Sequence, residues 1–299
     1  MIPADAVGPG RLDAPDRPDP TLSTTTAPPA GVAATGVAAR AGKRLLFDGL
    51  EATVTAGQFV AVLGPNGAGK STFLRMLLGL HPVAGGTLQV LGDRPGRRNH
   101  DIGYLPQRRS FDSSVRIRGV DLVRLGVDGH RWGTPLPLVR RLFDRARLEE
   151  EQQWVREVIA RVGASGYAGR PIGETSGGEQ QRLLIAQALV RQPRLLLLDE
   201  PLDSLDLPNQ QGVAGLLQRI SADGVSVVIV AHDVNPILGY LDQVIYIVGG
   251  RALAGPPAEV ITTENLSNLY GAPVEVVRTP SGRLVVVGQP DAASFHAGH

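Results

Sequence analysis

The stretch "QFVAVLGPNGAGKSTFLRMLLGL", Gln58 to Leu80, runs from apolar residues through a glycine-rich loop into a segment with helical spacing. "QFVAVL" predicts a strand and "STFLRMLLGL" a helix. The loop between them, "GPNGAGKST" from Gly64 to Thr72, matches G-x-x-x-x-G-K-[ST] in the strand-then-helix setting that gives the pattern its meaning. Its glycines let the backbone curl until N–H groups point inward at phosphate oxygens, and the helix that follows adds its positive N-terminal end. Gly64, Pro65, Asn66, Gly67, Ala68, Gly69, Lys70, Ser71 and Thr72 are therefore expected to bind a nucleotide. Lys70 would reach the β- and γ-phosphates, and the Ser71 hydroxyl would ligate Mg²⁺.

A second stretch, "LLLLDEPLDSLD" from Leu195 to Asp206, drives four leucines into three aspartates and a glutamate. An apolar run with no alternation predicts a short strand buried on both faces. In open α/β sheets ligands bind in the crevice outside the carboxyl ends of the strands, which is where Asp199 and Glu200 would sit. A nucleoside-triphosphatase with this loop needs a second acid on the metal side, and Asp199 fits that role. Glu200, one residue further, is a candidate to orient or activate the attacking water.

The rest of the chain supplies a frame. Its 299 residues, 42% of them hydrophobic, suffice for a large globular core. The 30 basic and 29 acidic residues leave a formal charge of +1, so no basic field argues for nucleic acid. There is no cysteine, which excludes disulfides and thiolate metal sites. No apolar run approaches the roughly 18 residues of a membrane span, and the start lacks the apolar core of a signal peptide, so a cytoplasmic protein is expected. Residues 1–34 carry prolines at 3, 9, 15, 18, 20, 28 and 29 with few large apolar residues and are expected to be disordered. Between Leu45 and Gly64 two or three short strands are expected, with Ala56 and Gly57 as a turn. From about Ser110 to Ala168 strand character gives way to helix, with Trp154, Val158 and Val162 at helical spacing and Ile159 beside them. "GVSVVIVAHD", Gly224 to Asp233, is another buried strand, and strand alternating with helix implies a mostly parallel sheet. "VEVVRTPSGRLVVVG" predicts a hairpin around Pro280–Gly282, after which the tail should fray.

"TSGGEQQRLLIAQALVRQP", Thr175 to Pro193, begins with a second anion cradle of backbone, hydroxyl and helix N-terminus, and one γ-phosphate does not need two in one subunit. Taken with Lys70, Gln107 in "GYLPQRRS", Asp199-Glu200, "SLD" at Ser204 to Asp206, and His232, this order of motifs resembles the nucleotide-binding subunit of an ABC transporter, from about residue 36 to 271. The resemblance implies an α/β P-loop cassette with a mostly parallel core sheet, an N-terminal antiparallel β subdomain and an inserted helical subdomain at about 110–175, the cassette spanning 35–275. It implies ATP and Mg²⁺ as ligands, the metal held by Ser71, Gln107 and Asp199. It implies a head-to-tail homodimer in which Ser176, Gly177, Gly178, Glu179 and Asp206 of one subunit complete the site around ATP held by the other. Gln107 would couple that site to the helical subdomain, and His232 would contact the γ-phosphate and hold Glu200 in line.

Two departures from the family pattern stand out. The signature reads Thr-Ser-Gly-Gly-Glu where Leu-Ser-Gly-Gly-Gln is common, and activity is expected to survive because the anion contacts come from serine and backbone. The family's adenine-stacking aromatic, some thirty residues before the lysine, is missing from "VAARAGKRLL", Val37 to Leu46, leaving Arg40 or Arg44 as candidates to stack on the base. His81, His100 and His130 lack ligand spacing and read as ordinary surface or core residues, and His296 and His299 as part of a disordered end. "GYLPQRRSFDSSVRIRGVDLVRLG", "AHDVNPILGYLDQVIYI" and "TTENLSNLYGAPVEVVR" further resemble the ATPases of zinc and manganese uptake systems, although the stretch from Arg124 to Arg147 is longer and more basic than expected there. That resemblance implies a separate membrane permease, a solute-binding protein in the complex, and a place on the inner face of the cell membrane through the permease. The alternative is an ABC ATPase of assembly or repair type that drives no transport.

Overall fold

The computed structural model describes residues 31–107, 111–128, 145–279 and 284–287. Strands β1 (Val32–Ala41), β2 (Arg44–Val54), β3 (Phe59–Leu63), β4 (Gly85–Val90), β5 (Ile102–Leu105), β6 (Leu195–Asp199), β7 (Ser226–Val230), β8 (Gln243–Val248) and β9 (Gly250–Gly255) form one sheet in the order β4-β1-β2-β9-β8-β3-β7-β6-β5. Strands β8, β3, β7, β6 and β5 pair in parallel, while β1 pairs antiparallel with both β2 and β4. The antiparallel region is thus no separate sheet. It joins the parallel core through β2 and β9, which share Phe47↔Gly250 and Asp48↔Arg251.

The unbroken apolar runs follow from burial on both faces. Phe59, Ala61 and Leu63 of β3, with Leu196 and Leu198 of β6, face one core together with helices α2 (Gly119–Asp128), α3 (Arg145–Arg161), α4 (Gly177–Leu189) and α5 (Leu207–Ala222). Val60, Val62, Leu195 and Leu197 face the opposite core with α1 (Lys70–Leu77), β1 and β2. Leu195 through Leu198 are all 0% exposed. At about 1.5–3 kcal/mol for each fully buried leucine, that strand is fixed firmly in the sheet. Its terminal carboxylates are thereby held where the core opens.

Order begins earlier than the sequence suggests. The Gly31 N–H donates to the Val54 carbonyl at 2.6 Å, and Val32 and Ala34 are buried, so residues 31–34, expected to belong to the tail, are part of the sheet. Register shifts between Ala34 and Val37 and between Val37 and Ala39 break the two-residue alternation that would have revealed β1. Residues 1–30, where the rest of the Pro-rich tail was expected, lie outside the described residues. Val155, Val158 and Ile159 of α3 are buried, as is Val162 just beyond its end, while Trp154 is half-buried and its indole donates to the Val190 carbonyl at 2.7 Å. Two short helices, α6 (Pro257–Val260) and α7 (Thr263–Tyr270), precede strands β10 (Glu275–Arg278) and β11 (Leu284–Val287), which pair antiparallel as the hairpin reading requires. The expected turn at Pro280–Gly282, His130, most of the basic stretch before Arg147, and the tail with His296 and His299 lie outside the described residues.

Candidate functional site: a phosphate loop and an acidic strand end

The loop leaves β3 at Gly64 because only glycine fits there. A Cβ on Gly64 would meet the Ile247 carbonyl oxygen of β8 at 1.9 Å, and its φ is +139°. Gly69, at φ +111°, turns the chain into α1. No side chain caps α1, and no acid lies in its first turn, so its leading N–H groups remain available to an anion. Lys70 folds back over the loop, its ammonium donating to the carbonyls of Gly64 at 2.7 Å and Pro65 at 3.1 Å. Burial pulls the Lys70 amine below its usual range, and the charges of Glu200, Asp199 and Asp203 oppose that pull.

Across the sheet crevice, β6 delivers Asp199. The Ser71 hydroxyl donates to Asp199 Oδ1 at 2.9 Å although the two lie 128 residues apart. Burial raises the Asp199 carboxyl, offset by the Ser71 bond and by the charges of Arg75, Lys70 and His232. A hydroxyl and a carboxylate oxygen meeting beside a phosphate cradle form the hard-oxygen donor pair that Mg²⁺ takes. Gln107 does not join that pair here. Its side-chain amide donates instead to Glu200 Oε2.

Glu200 sits at φ +52°, a left-handed conformation that costs a non-glycine residue about 1–2 kcal/mol and turns its carboxylate out of the sheet into the crevice. Both oxygens are held: Oε2 by Gln107, and Oε1 by His232 Nε2 at 2.6 Å. Burial pushes its carboxyl above the usual range, His232 opposes this, and Asp203 and Asp199 reinforce it. A carboxylate made more basic and oriented from two sides is suited to accept a proton from water. Asp203 was not singled out from the sequence, yet its Oδ2 lies 3.7 Å from His232 Nε2. Its only signal was its place in the acidic turn after Glu200.

A cavity of about 310 Å³ lies over this centre, lined among others by Gly67, Gly69, Lys70, Ser71, Thr72 and Glu200. No residue from 176 to 179 lines it, nor does Asp206. Ser176 instead caps α4: its Oγ accepts from the Glu179 N–H at 3.3 Å, and Glu179 Oε2 accepts from the Ser176 N–H at 2.7 Å. Asp206 caps α5, accepting from the Asn209 backbone at 3.1 Å and side chain at 2.6 Å. A Cβ on Gly178 would meet Asn209 Oδ1 at 2.4 Å, so this glycine lets the starts of α4 and α5 approach. Of the other histidines among the described residues, His81 bonds the Pro82 carbonyl at 3.0 Å and His100 lies 3.3 Å from Asp101.

Residues 47–203 match the family model described as ABC transporter. The hemin import ATP-binding protein HmuV of Streptomyces coelicolor is 38% identical over 267 residues, 85% of this chain and 89% of that protein. The manganese transport system ATP-binding protein MntB of Halalkalibacterium halodurans is 36% identical over 214 residues, 72% and 81% of the two chains. The zinc transport system ATP-binding protein TroB of Treponema pallidum is 32% identical over 241 residues, 80% and 86%. Among solved structures, a transporter described as of metal-chelate type, in an inward-facing conformation, superposes with a TM-score of 0.71 at 25% identity, covering 87% of this chain and 98% of that one. No helix among the described residues is long and apolar enough to cross a membrane. A phosphate loop, a serine–aspartate pair and a doubly held glutamate in one crevice, within a chain of which over half fits the family model, mean that the chain belongs to the ABC transporter family as an ATP-binding, ATP-hydrolysing subunit.

Proposed function

We propose that this subunit energises import of a divalent metal ion, zinc or manganese, through a separate membrane permease. It would lie on the inner face of the cell membrane through that permease, with a solute-binding protein in the complex. The relatives named for manganese and zinc transport support this reading. A metal chelate is the second reading, favoured by the HmuV relative, which matches a longer span at higher identity than MntB, and by the metal-chelate type transporter. Uptake of labelled manganese, zinc and hemin by cells with and without the gene separates the readings. Loss of ion uptake alone supports the first, and loss of hemin uptake alone replaces it with the second.

In the working site Lys70 would bind the β- and γ-phosphates, and Ser71 and Asp199 would hold Mg²⁺, which would supply charge neutralisation for the phosphates. Glu200 positions the water and takes up its proton, while His232 and Gln107 keep its carboxylate in place. The second subunit contributes Ser176, Gly177, Gly178 and Glu179, with Asp206 at the shared face, in a head-to-tail dimer. That reading is carried by one observation: the signature residues of this chain do not line the cavity over its own Lys70. Glu200→Gln should leave ATP binding intact and let a dimer locked around ATP accumulate, measured by gel filtration with Mg-ATP. A variant that stays monomeric and hydrolyses ATP at the parent rate refutes the role given to Glu200.

A further inference from the structure

The cavity above Lys70 does not end at the phosphates. It adjoins a larger one of about 490 Å³, a volume suited to a small-molecule ligand. Arg44, Leu46, Asn66 and Gly67 line both. Past these shared residues the space over Lys70 opens into the larger one, which Val248, Gly249 and Gly250 line without reaching the smaller.

The walls of that space have an unusual chemistry for a base pocket. Among the described residues lining it none is aromatic, and Arg44 is the only charged one. The nearby rings of Phe47 and Phe73 are buried and packed edge to face on each other, with centroids 6.3 Å apart. Arg40 is turned elsewhere, donating to the Lys43 carbonyl at 3.4 Å, and lines neither cavity. Ala41, opposite Arg44 in the β1–β2 register, lines only the phosphate side. Arg44 is exposed on one strand end and spans both spaces, free of any role in the core.

We propose that Arg44 holds the base of the nucleotide in this subunit: its guanidinium plane stacks on the base without selecting it, and the site accepts guanine nearly as well as adenine. The proposal rests on the assignment of the phosphate loop as the nucleotide site. Stacking uses the π-face that every purine has, so it does not distinguish bases. Strong selection between bases needs buried polar groups aimed at one edge pattern, because an unmatched group then goes unpaired. Leu46, Ala68 and Val248 offer apolar contact only. Asn66, exposed and able both to donate and to accept through its amide, can meet either edge.

The test is equilibrium binding and kcat/KM for Mg-ATP and Mg-GTP, measured on the full chain as wild type, Arg44→Ala and Arg44→Tyr. GTP is expected within about tenfold of ATP in the wild type, a gap of about 1.4 kcal/mol at most. Arg44→Ala should weaken both nucleotides by about two- to fivefold, the range for an exposed cation–ring contact, with the change carried by KM rather than kcat. Arg44→Tyr, which restores a stacking face without the charge, should bring both back to or below the wild-type KM. A wild-type preference for ATP of more than about tenfold overturns the proposal, and so does an unchanged KM in both variants. Failure of the underlying nucleotide site reads differently: neither nucleotide would then bind the wild type, and Lys70→Ala would change nothing.

Discussion

Two glycine-rich helix starts in this protein look alike on paper and are built for opposite conditions. At Gly64–Thr72 the helix start is left bare: Gly69 offers no side-chain cap, and Lys70 closes over loop carbonyls that a phosphate-bound state would leave to solvent or neighbours. At Ser176–Glu179 the start of α4 is already satisfied by a reciprocal cap, with Ser176 and Glu179 each bonded to the other's backbone N–H. The first lies among Lys70, Ser71, Asp199 and Glu200, whereas the second faces outward with Ser176 and Gly177 exposed. An uncapped helix end surrounded by charge is a binding site in its own right. A capped and exposed one holds its shape alone, which suits the proposed role of completing a site in a second subunit.

This contrast can be broken in four places. The largest effect is expected at Lys70→Ala, which would remove the charge-assisted bonds proposed to two phosphates and should weaken ATP binding at least about 100-fold in a titration. Retained affinity would mean that the loop, not the lysine, does the holding. Gly178→Ala comes next, because its Cβ would displace Asn209 from Asp206. Calorimetry on the isolated chain should show ATP affinity within about twofold of wild type, while turnover falls about tenfold or more, as expected when one transition-state donor is misplaced. Equal loss of binding and turnover would place the second cradle beside the first within one subunit. Ser176→Ala deletes a cap and should cost about 1 kcal/mol of stability, read as a lower denaturant midpoint with unchanged slope. The smallest effect is expected at Glu179→Gln: an amide oxygen can still accept from the Ser176 N–H, so stability should change by less than about 0.5 kcal/mol. A larger loss would show that the carboxylate, 3.8 Å from Arg170, matters as a charge.

What could be read before the fold was known divides along the same line. The phosphate loop was legible because its chemistry is local: glycines at fixed spacing, a lysine, a hydroxyl and a strand on one side. Leu195–Leu198 were legible as a doubly buried strand because nothing polar interrupts them, and the structure gives each 0% exposure. β1 was not, since three register shifts against β2 scramble its alternation and its apolar residues are alanine and valine. Arg44 could be named only as one of two candidate arginines, because both flank the same turn. The bond from Arg40 to the Lys43 carbonyl and the cavity walls separate them. Asp203 carried no pattern of its own and acquires a place only through the tertiary approach to His232, Glu200 and Lys70.

By itself the sequence determined the elements and their chemical endowment: where the chain curls around phosphate, which strands are buried on both faces, and which acids stand at a strand end. These are consequences of backbone freedom and of apolar residues leaving water, and both act over a few neighbouring residues. Tertiary structure alone decided who meets whom. Ser71 reaches Asp199 across 128 residues because β7 lies between β3 and β6 in the sheet, and Glu200 meets Gln107 and His232 because β5, β6 and β7 are neighbours in parallel. Strand order is settled by the packing of whole faces against α1 on one side and α2 to α5 on the other, a global balance that no short stretch of residues carries.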